Sequence, residues 1–178
     1  IAFSADGKFM AGSGYNKVIK IWDRETGKLI KKLEGHTAGV LALDFHPTKS
    51  ILASGSHDET VRIWDFIKGK ELKQFKDQTV VVSGVKFSPD GKQLSSSAWD
   101  KTIFVRNTET WETIHVLKGH TNSIMGLDYN KEGKVLVSYA TNNSVSVADN
   151  SLMIYLDTLF PIDVLFTFFV MFYFKKFE

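Results

Sequence analysis

Short alternating runs fill most of this chain. VLALDF (residues 40–45) alternates apolar with smaller or polar positions and ends at His46-Pro47. ILASGS then runs into HDE, TVRIWD follows, and ELKQF comes after a loop holding Gly69. Apolar positions two apart, rich in β-branched and aromatic residues and separated by turn residues, predict strands. Pro89-Asp90-Gly91 supplies turn chemistry, because proline fixes φ and glycine tolerates positive φ. Helical spacing is nowhere persuasive in residues 1–149. The pattern therefore predicts an all-β fold of short strands joined by tight turns.

The runs recur. IKIWD (19–23) aligns with VRIWD (61–65), so Trp22 and Trp64 stand 42 residues apart, and further steps of 42 reach Arg106 and Ala148. Phe3, Phe45, Phe87 and Tyr129 keep the same 42-residue spacing, and Gly35-His36 returns two periods later as Gly119-His120. Constant spacing through four copies marks a repeat architecture, in which each copy buries its apolar face against its neighbours.

Composition narrows the functional classes. The 178 residues are 43% hydrophobic and 24% charged, as in a globular protein, and suffice for one ordinary domain. A net charge of +2 gives no whole-chain case for nucleic acid. Cysteine is absent, which excludes a disulfide framework, a Cys-ligated zinc and a thiol nucleophile, and mildly favours a reducing compartment. No metal cluster, phosphate loop or nucleophile elbow stands out, so no catalytic residue, cofactor, metal or small-molecule substrate is expected. Lys17, Lys20, Arg62, Lys101 and Arg106 recur near the third strand of each copy, but Asp58, Glu59 and Asp100 interleave with them. That mixture reads as a solvated face rather than a nucleic-acid site.

Gly-His, a gap, then S-x-D-x-T-V-x-I-W-D at this period resembles the WD-repeat family of β-propellers, over residues 1 to about 149. The second copy carries the pattern most fully (GH at 35–36, SHDETVRIWD at 56–65), and the fourth is degenerate. The resemblance implies a WD-repeat β-propeller of about four blades in an incomplete or open ring. It also implies a buried hydrogen-bonded tetrad in each good blade, here His36, Ser56, Asp58 and Trp64. The third copy keeps Asp100 but has Gln78, Ala98 and Arg106 at the other places. The fourth keeps His120 but has Ala140, Asn142 and Ala148. Blades with incomplete sets are expected to be less stable. A Ser-His-Asp catalytic triad is the rival reading of these residues, but it leaves Trp64 unexplained.

The family's partners commonly touch the residue before the turn aspartate and early strand residues after Gly-His. Carried over by position, this implies a partner-binding patch of Tyr15, His57 and Trp99 with Leu41, Val81 and Met125. The function implied is a non-catalytic scaffold for peptides or proteins in a larger complex, in the cytoplasm or nucleus. The alternative is a membrane-associated adaptor held by the C-terminal segment.

That segment differs in kind. Of 14 phenylalanines, seven fall in the last 28 residues: Phe160, Phe166, Phe168, Phe169, Phe172, Phe174 and Phe177. Residues 150–178 therefore read as a divergent apolar tail behind a repeat domain of residues 1–149. Three readings stay open: a divergent outer strand followed by non-native translated sequence, a segment that docks on a blade edge or a partner, and a membrane contact through residues 152–174. The uninterrupted apolar run is too short to span a bilayer, and Asp157, Pro161 and Asp163 interrupt the longer one. The start at Ile1 without a visible signal peptide reads as that of a fragment.

Overall fold

The computed structural model describes residues 1–142, 144–149 and 153–156. Among these, sixteen strands form four antiparallel sheets, each a meander of four strands in chain order. The first sheet holds β1 (Ala2–Phe3), β2 (Phe9–Gly12), β3 (Ile19–Asp23) and β4 (Leu29–Leu33). The second holds β5 (Val40–Phe45), β6 (Ile51–Ser56), β7 (Val61–Asp65) and β8 (Lys70–Phe75). The third holds β9 (Val82–Phe87), β10 (Gln93–Ala98), β11 (Thr102–Asn107) and β12 (Thr113–Lys118). The fourth holds β13 (Ile124–Tyr129), β14 (Val135–Ala140), β15 (Val145–Asp149) and β16 (Met153–Leu156). The 42-residue step places an outer strand near residues 154–159; β16 begins slightly earlier and pairs with β15.

The sheets are propeller blades. Their innermost strands follow one another, β1 beside β5, β5 beside β9 and β9 beside β13. The apolar cores lie between blades. Ile19, Ile21 and Leu33 of the first blade pack with Val40, Phe45, Leu52, Trp64 and Phe66 of the second. Ala53, Val61 and Ile63 leave the opposite face of the second blade and meet Val82, Val85, Phe87 and Leu94 of the third. Ile103 and Val105 join Ile124, Leu136 and Ala148 in the same way. Both faces of a middle blade are thus covered, and β6 is buried along nearly its whole length rather than on alternate residues.

Polar ties reinforce this stacking. Asp44 accepts from the Phe87 amide at 2.8 Å, the Ser83 hydroxyl donates to the Ile124 carbonyl at 2.6 Å, and Ser95 and Tyr129 bond through their hydroxyls at 2.6 Å. Asp44, Lys86 and Asp128, each 42 residues from the next, form a line across three inner strands. The Lys86 ammonium lies 3.4 Å from Asp44 and 3.5 Å from Asp128. Burial pulls the Lys86 ammonium down, and the two carboxylates outweigh it and hold its pKa above the ordinary value.

The backbone repeats as the sequence does. Lys17, Glu59 and Lys101 share a left-handed φ of 67°, 67° and 71° in the turn between the second and third strands of their blades. Asp58 and Asp100 close two of these turns by accepting from the Thr60 and Thr102 amides.

Candidate functional site

A polar network lies inside the second blade. The Trp64 indole N–H donates to Ser54 Oγ at 2.8 Å. Ser54 Oγ lies 2.7 Å from His36 Nε2, and His36 Nδ1 lies 2.8 Å from Asp58 Oδ2. The carboxylate can only accept, so Nδ1–H donates to Asp58. The Ser54 hydroxyl donates to Nε2 when His36 is neutral, the form that burial favours. Burial pushes its pKa below the ordinary value, against the pull of Asp58.

His36, Asp58 and Trp64 come together as the family pattern implies, but Ser56 does not join them. Ser56 Oγ instead donates to the Gly39 carbonyl at 2.8 Å and accepts from the Asp58 amide at 3.1 Å. The physical reason is register. Ser54 stands opposite Arg62 and Ser56 opposite Val40, which leaves Ser54 within reach of both rings and Ser56 at the loop end. The sequence held the signal, because Ser54, Ser96 and Ser138 recur at the 42-residue step.

The other blades carry variants of the same set. In the third, Arg106 replaces the tryptophan; it donates to Ser96 Oγ at 3.1 Å, pairs with Asp77, and stacks its guanidinium on the Phe75 and Phe104 rings. Gln78 donates to the Ser96 carbonyl, but its Oε1 and the Arg106 Nε are buried without partners. In the fourth, His120 Nε2 bonds Ser138 Oγ at 2.8 Å, and Ser144 links His120 Nδ1 to Asn142. In the first, Gly12 stands at the serine place, and the Trp22 ring lies 2.9 Å from where a Cβ would be.

Above this network, at the loop end of the blades, three rings from successive copies touch. Tyr15 and His57 have centroids 5.8 Å apart, and His57 meets Trp99 edge-on at 5.7 Å. Their positions are held by backbone bonds from the His57 amide to the Gly39 carbonyl and from the Trp99 amide to the Val81 carbonyl. Gly39 lets the first ring approach, since a Cβ there would lie 3.0 Å from Tyr15 Cδ1. Tyr15 is 81% exposed and Trp99 38%. The line ends at Thr141 in the fourth blade. Leu41 and Met125 are half-exposed but sit elsewhere in the repeat, as the extra residues of bulges in β5 and β13. Val81 is half-buried beside Trp99.

The WD domain, G-beta repeat family matches residues 1–23, 27–65, 69–107 and 111–155. The chain belongs to the WD-repeat family. Three curated relatives share one stretch each with this WD-repeat chain. A nuclear distribution protein PAC1 of Coprinopsis cinerea is 45% identical over 42 residues, covering 24% of this chain and 10% of its own. The general transcriptional corepressor TUP1 of Saccharomyces cerevisiae is 40% identical over 45 residues, 25% of this chain and 6% of its own. The transcriptional corepressor LEUNIG_HOMOLOG of Arabidopsis thaliana is 38% identical over 53 residues, 29% of this chain and 7% of its own. The matched stretches thus span a tenth or less of each relative's length.

Within this WD-repeat chain the Ser54–His36–Asp58 spacing looks like a catalytic triad, but its surroundings do not suit one. Ser54 is wholly buried and its oxygen already accepts from Trp64, so no substrate carbonyl can approach it. Of the recurring cations, Arg62 and Arg106 are turned inward and buried. Among the described residues, no three metal-ligating side chains converge, and no helix is long and apolar enough to cross a membrane. Of the tail readings and the membrane reading of residues 152–174, only Met153–Leu156 falls within the described residues.

The network should also make stability depend on acid. Burial pushes the Asp58 carboxyl up, but bonds from Thr60, the Thr37 amide and His36 outweigh it and hold the pKa at about 2 against an ordinary 3.8. The folded state then holds this proton more weakly than the unfolded chain. About 2 kcal/mol of stability is present above the unfolded pKa and is lost as pH falls towards 2. His36 and His120 are also held below the ordinary histidine value by burial. They contribute stability above the ordinary histidine value of 6.5 that is lost as pH falls below it. Urea midpoints across pH should decline below that point and decline further in the carboxylate range, and Asp58→Asn should shrink the lower step, leaving the smaller share of Asp6, Asp23, Asp65 and Asp90.

Proposed function

We propose that this chain is a non-catalytic protein-interaction scaffold that holds a peptide or protein partner on the loop face carrying Tyr15, His57 and Trp99. The ring-to-ring line across three blades carries the reading. Tyrosine and tryptophan are the side chains most enriched at interface hot spots, because they give a large contact area at little entropic cost. Here they are aligned, supported by backbone bonds, and left open to solvent. Val81 adds a half-buried side chain beside Trp99, and the half-exposed Leu41 and Met125 offer separate apolar contacts on the inner strands β5 and β13.

Family membership supports the scaffold class, since WD-repeat proteins generally act as non-catalytic platforms. The relatives' names, two transcriptional corepressors and a nuclear distribution protein, fit work in protein assemblies in the nucleus or cytoplasm.

A peptide library displayed on phage and selected on the whole chain tests this. Selected peptides should lose roughly tenfold or more in affinity against Tyr15→Ala and against Trp99→Ala, with the urea midpoint little changed. Equal binding to both variants would sink the assignment.

A further inference from the structure

The outer rim of the first two blades carries a second surface. Strands β4, β8 and β12 are the outermost of their sheets, so each is paired on one side only. All three break register at the same place, opposite Ile21/Trp22, Ile63/Trp64 and Val105/Arg106. The extra residue at each break is aliphatic: Ile30, Leu72 and Ile114, 41%, 47% and 41% exposed. The β15–β16 pair has no such break. A bulge twists an edge away from flat backbone pairing and re-aims its side chain. The rim is thus protected against strand addition while presenting an aliphatic side chain outward from each of three blades. Leu29 and Ile67, each 45% exposed, widen the apolar strip on the first two.

Charge separates these two blades from the third. Lys28, Lys31 and Lys32 flank Ile30, and Lys70 and Lys73 flank Leu72. At the corresponding places the third blade has Glu112, His115 and Val116. Lys31 reaches across to the second blade, its Cδ 3.2 Å from where a Gly69 Cβ would be, so the two rims are continuous. The nearest carboxylates of the second blade are engaged elsewhere, Glu71 by Arg62 at 2.8 Å and Asp65 by Lys68 at 3.2 Å. Glu25 and Glu34 lie beyond the ends of β4.

We infer that the β4–β8 rim is a docking surface for an acidic polypeptide segment that carries aliphatic side chains. Among the described residues Lys31, Lys32, Lys70 and Lys73 form no ion pair and supply the complementary charge, with Lys28 shared with Asp23, and Ile30 and Leu72 supply the apolar contacts between them. A polypeptide suits the surface better than the two other anionic partners. Each aliphatic residue is more than half covered by its own blade, which gives contact area but not the depth that a bilayer interface requires. The residues between the lysines are aliphatic, so bases would find no ring to stack on. This surface is separate from the aromatic line, and its test is independent of it.

The probe is a fluorescein-labelled peptide of alternating glutamate and leucine, titrated onto the whole chain and followed by anisotropy. Binding should weaken as salt rises. It should fall about tenfold or more in the Lys31→Glu/Lys73→Glu variant, because like charges now face each other. The Ile30→Ser/Leu72→Ser variant should also weaken it, whereas Ile114→Ser and Trp99→Ala should not. The two rim variants are independent, so misfolding of one leaves the other to decide. No binding by the unaltered chain, no loss in a folded rim variant, or loss with Trp99→Ala alone would overturn the proposal. So would tighter binding to phosphatidylserine vesicles or single-stranded RNA that is lost in the same rim variants.

Discussion

Ser54→Ala is expected to destabilise the protein by about 2–4 kcal/mol, much more than Ser56→Ala at about 1 kcal/mol. Both serines are wholly buried, and they lie two residues apart on one strand. Their partners differ. Removing the Ser54 hydroxyl strands two groups together, the Trp64 N–H and the unprotonated His36 Nε2, and each loses its hydrogen bond inside a sealed core. Removing the Ser56 hydroxyl leaves the Gly39 carbonyl still bonded to the His57 amide. The Asp58 amide loses its acceptor, and the Ala38 carbonyl loses a longer contact at 3.3 Å. Urea denaturation of the two variants checks the difference. Since an ordinary domain is stable by about 5–15 kcal/mol, the first loss is a large share of the whole. Equal midpoints would show that the serine bonded to the rings is not the one that matters.

Gly91→Ala is the second large effect, at about 2–4 kcal/mol. Gly91 has a φ of +73°, a conformation that costs an alanine roughly 1–2 kcal/mol by itself. The added Cβ would also lie 2.5 Å from His46 Cε1 and 2.8 Å from its Nε2. His46 has no room to retreat. Its Nδ1 accepts from the Thr48 and Lys49 amides, and its Nε2–H donates to the Gly91 carbonyl at 3.0 Å, tying the second blade to the third. Gly133 stands one period later with a φ of +70°, but a Cβ there would meet Pro89, its Cδ at 3.2 Å and its Cγ at 3.8 Å. Gly133→Ala should therefore cost little more than the backbone strain, about 1–2 kcal/mol. Thermal melts of the pair separate steric conflict at the blade junction from strain alone.

Much of the fold was legible because the repeat is exact in spacing. A step of 42 residues aligned Trp22 with Trp64 and Pro47 with Pro89, and the same step relates the left-handed turns at Lys17, Glu59 and Lys101. The ring series Tyr15, His57, Trp99 followed from the same arithmetic. What arithmetic could not supply is which side chain reaches which. Ser54 and Ser56 point to the same side of β6, and only the register against β7 and β5 decides that Ser54 meets Trp64. Arg106 looked like a surface cation from its neighbours in sequence. It is enclosed because it fills the volume that Trp64 fills in the blade before, with Phe75 and Phe104 stacked on it. The Asp44–Lys86–Asp128 line was present as an alternation of sign at the repeat step, but its meaning depends on three inner strands lying side by side. Position in the repeat groups Leu41 and Met125 with the rings, but the bulges in β5 and β13 give them a place of their own.

The most direct test of the functional reading is a residue-level footprint of a selected peptide on the whole chain, by amide chemical-shift perturbation. The scaffold reading predicts the largest shifts at Tyr15, His57 and Trp99 and at Gly39 and Val81, whose carbonyls hold the His57 and Trp99 amides. A footprint confined to residues away from that line, with the three ring residues unmoved, would contradict it.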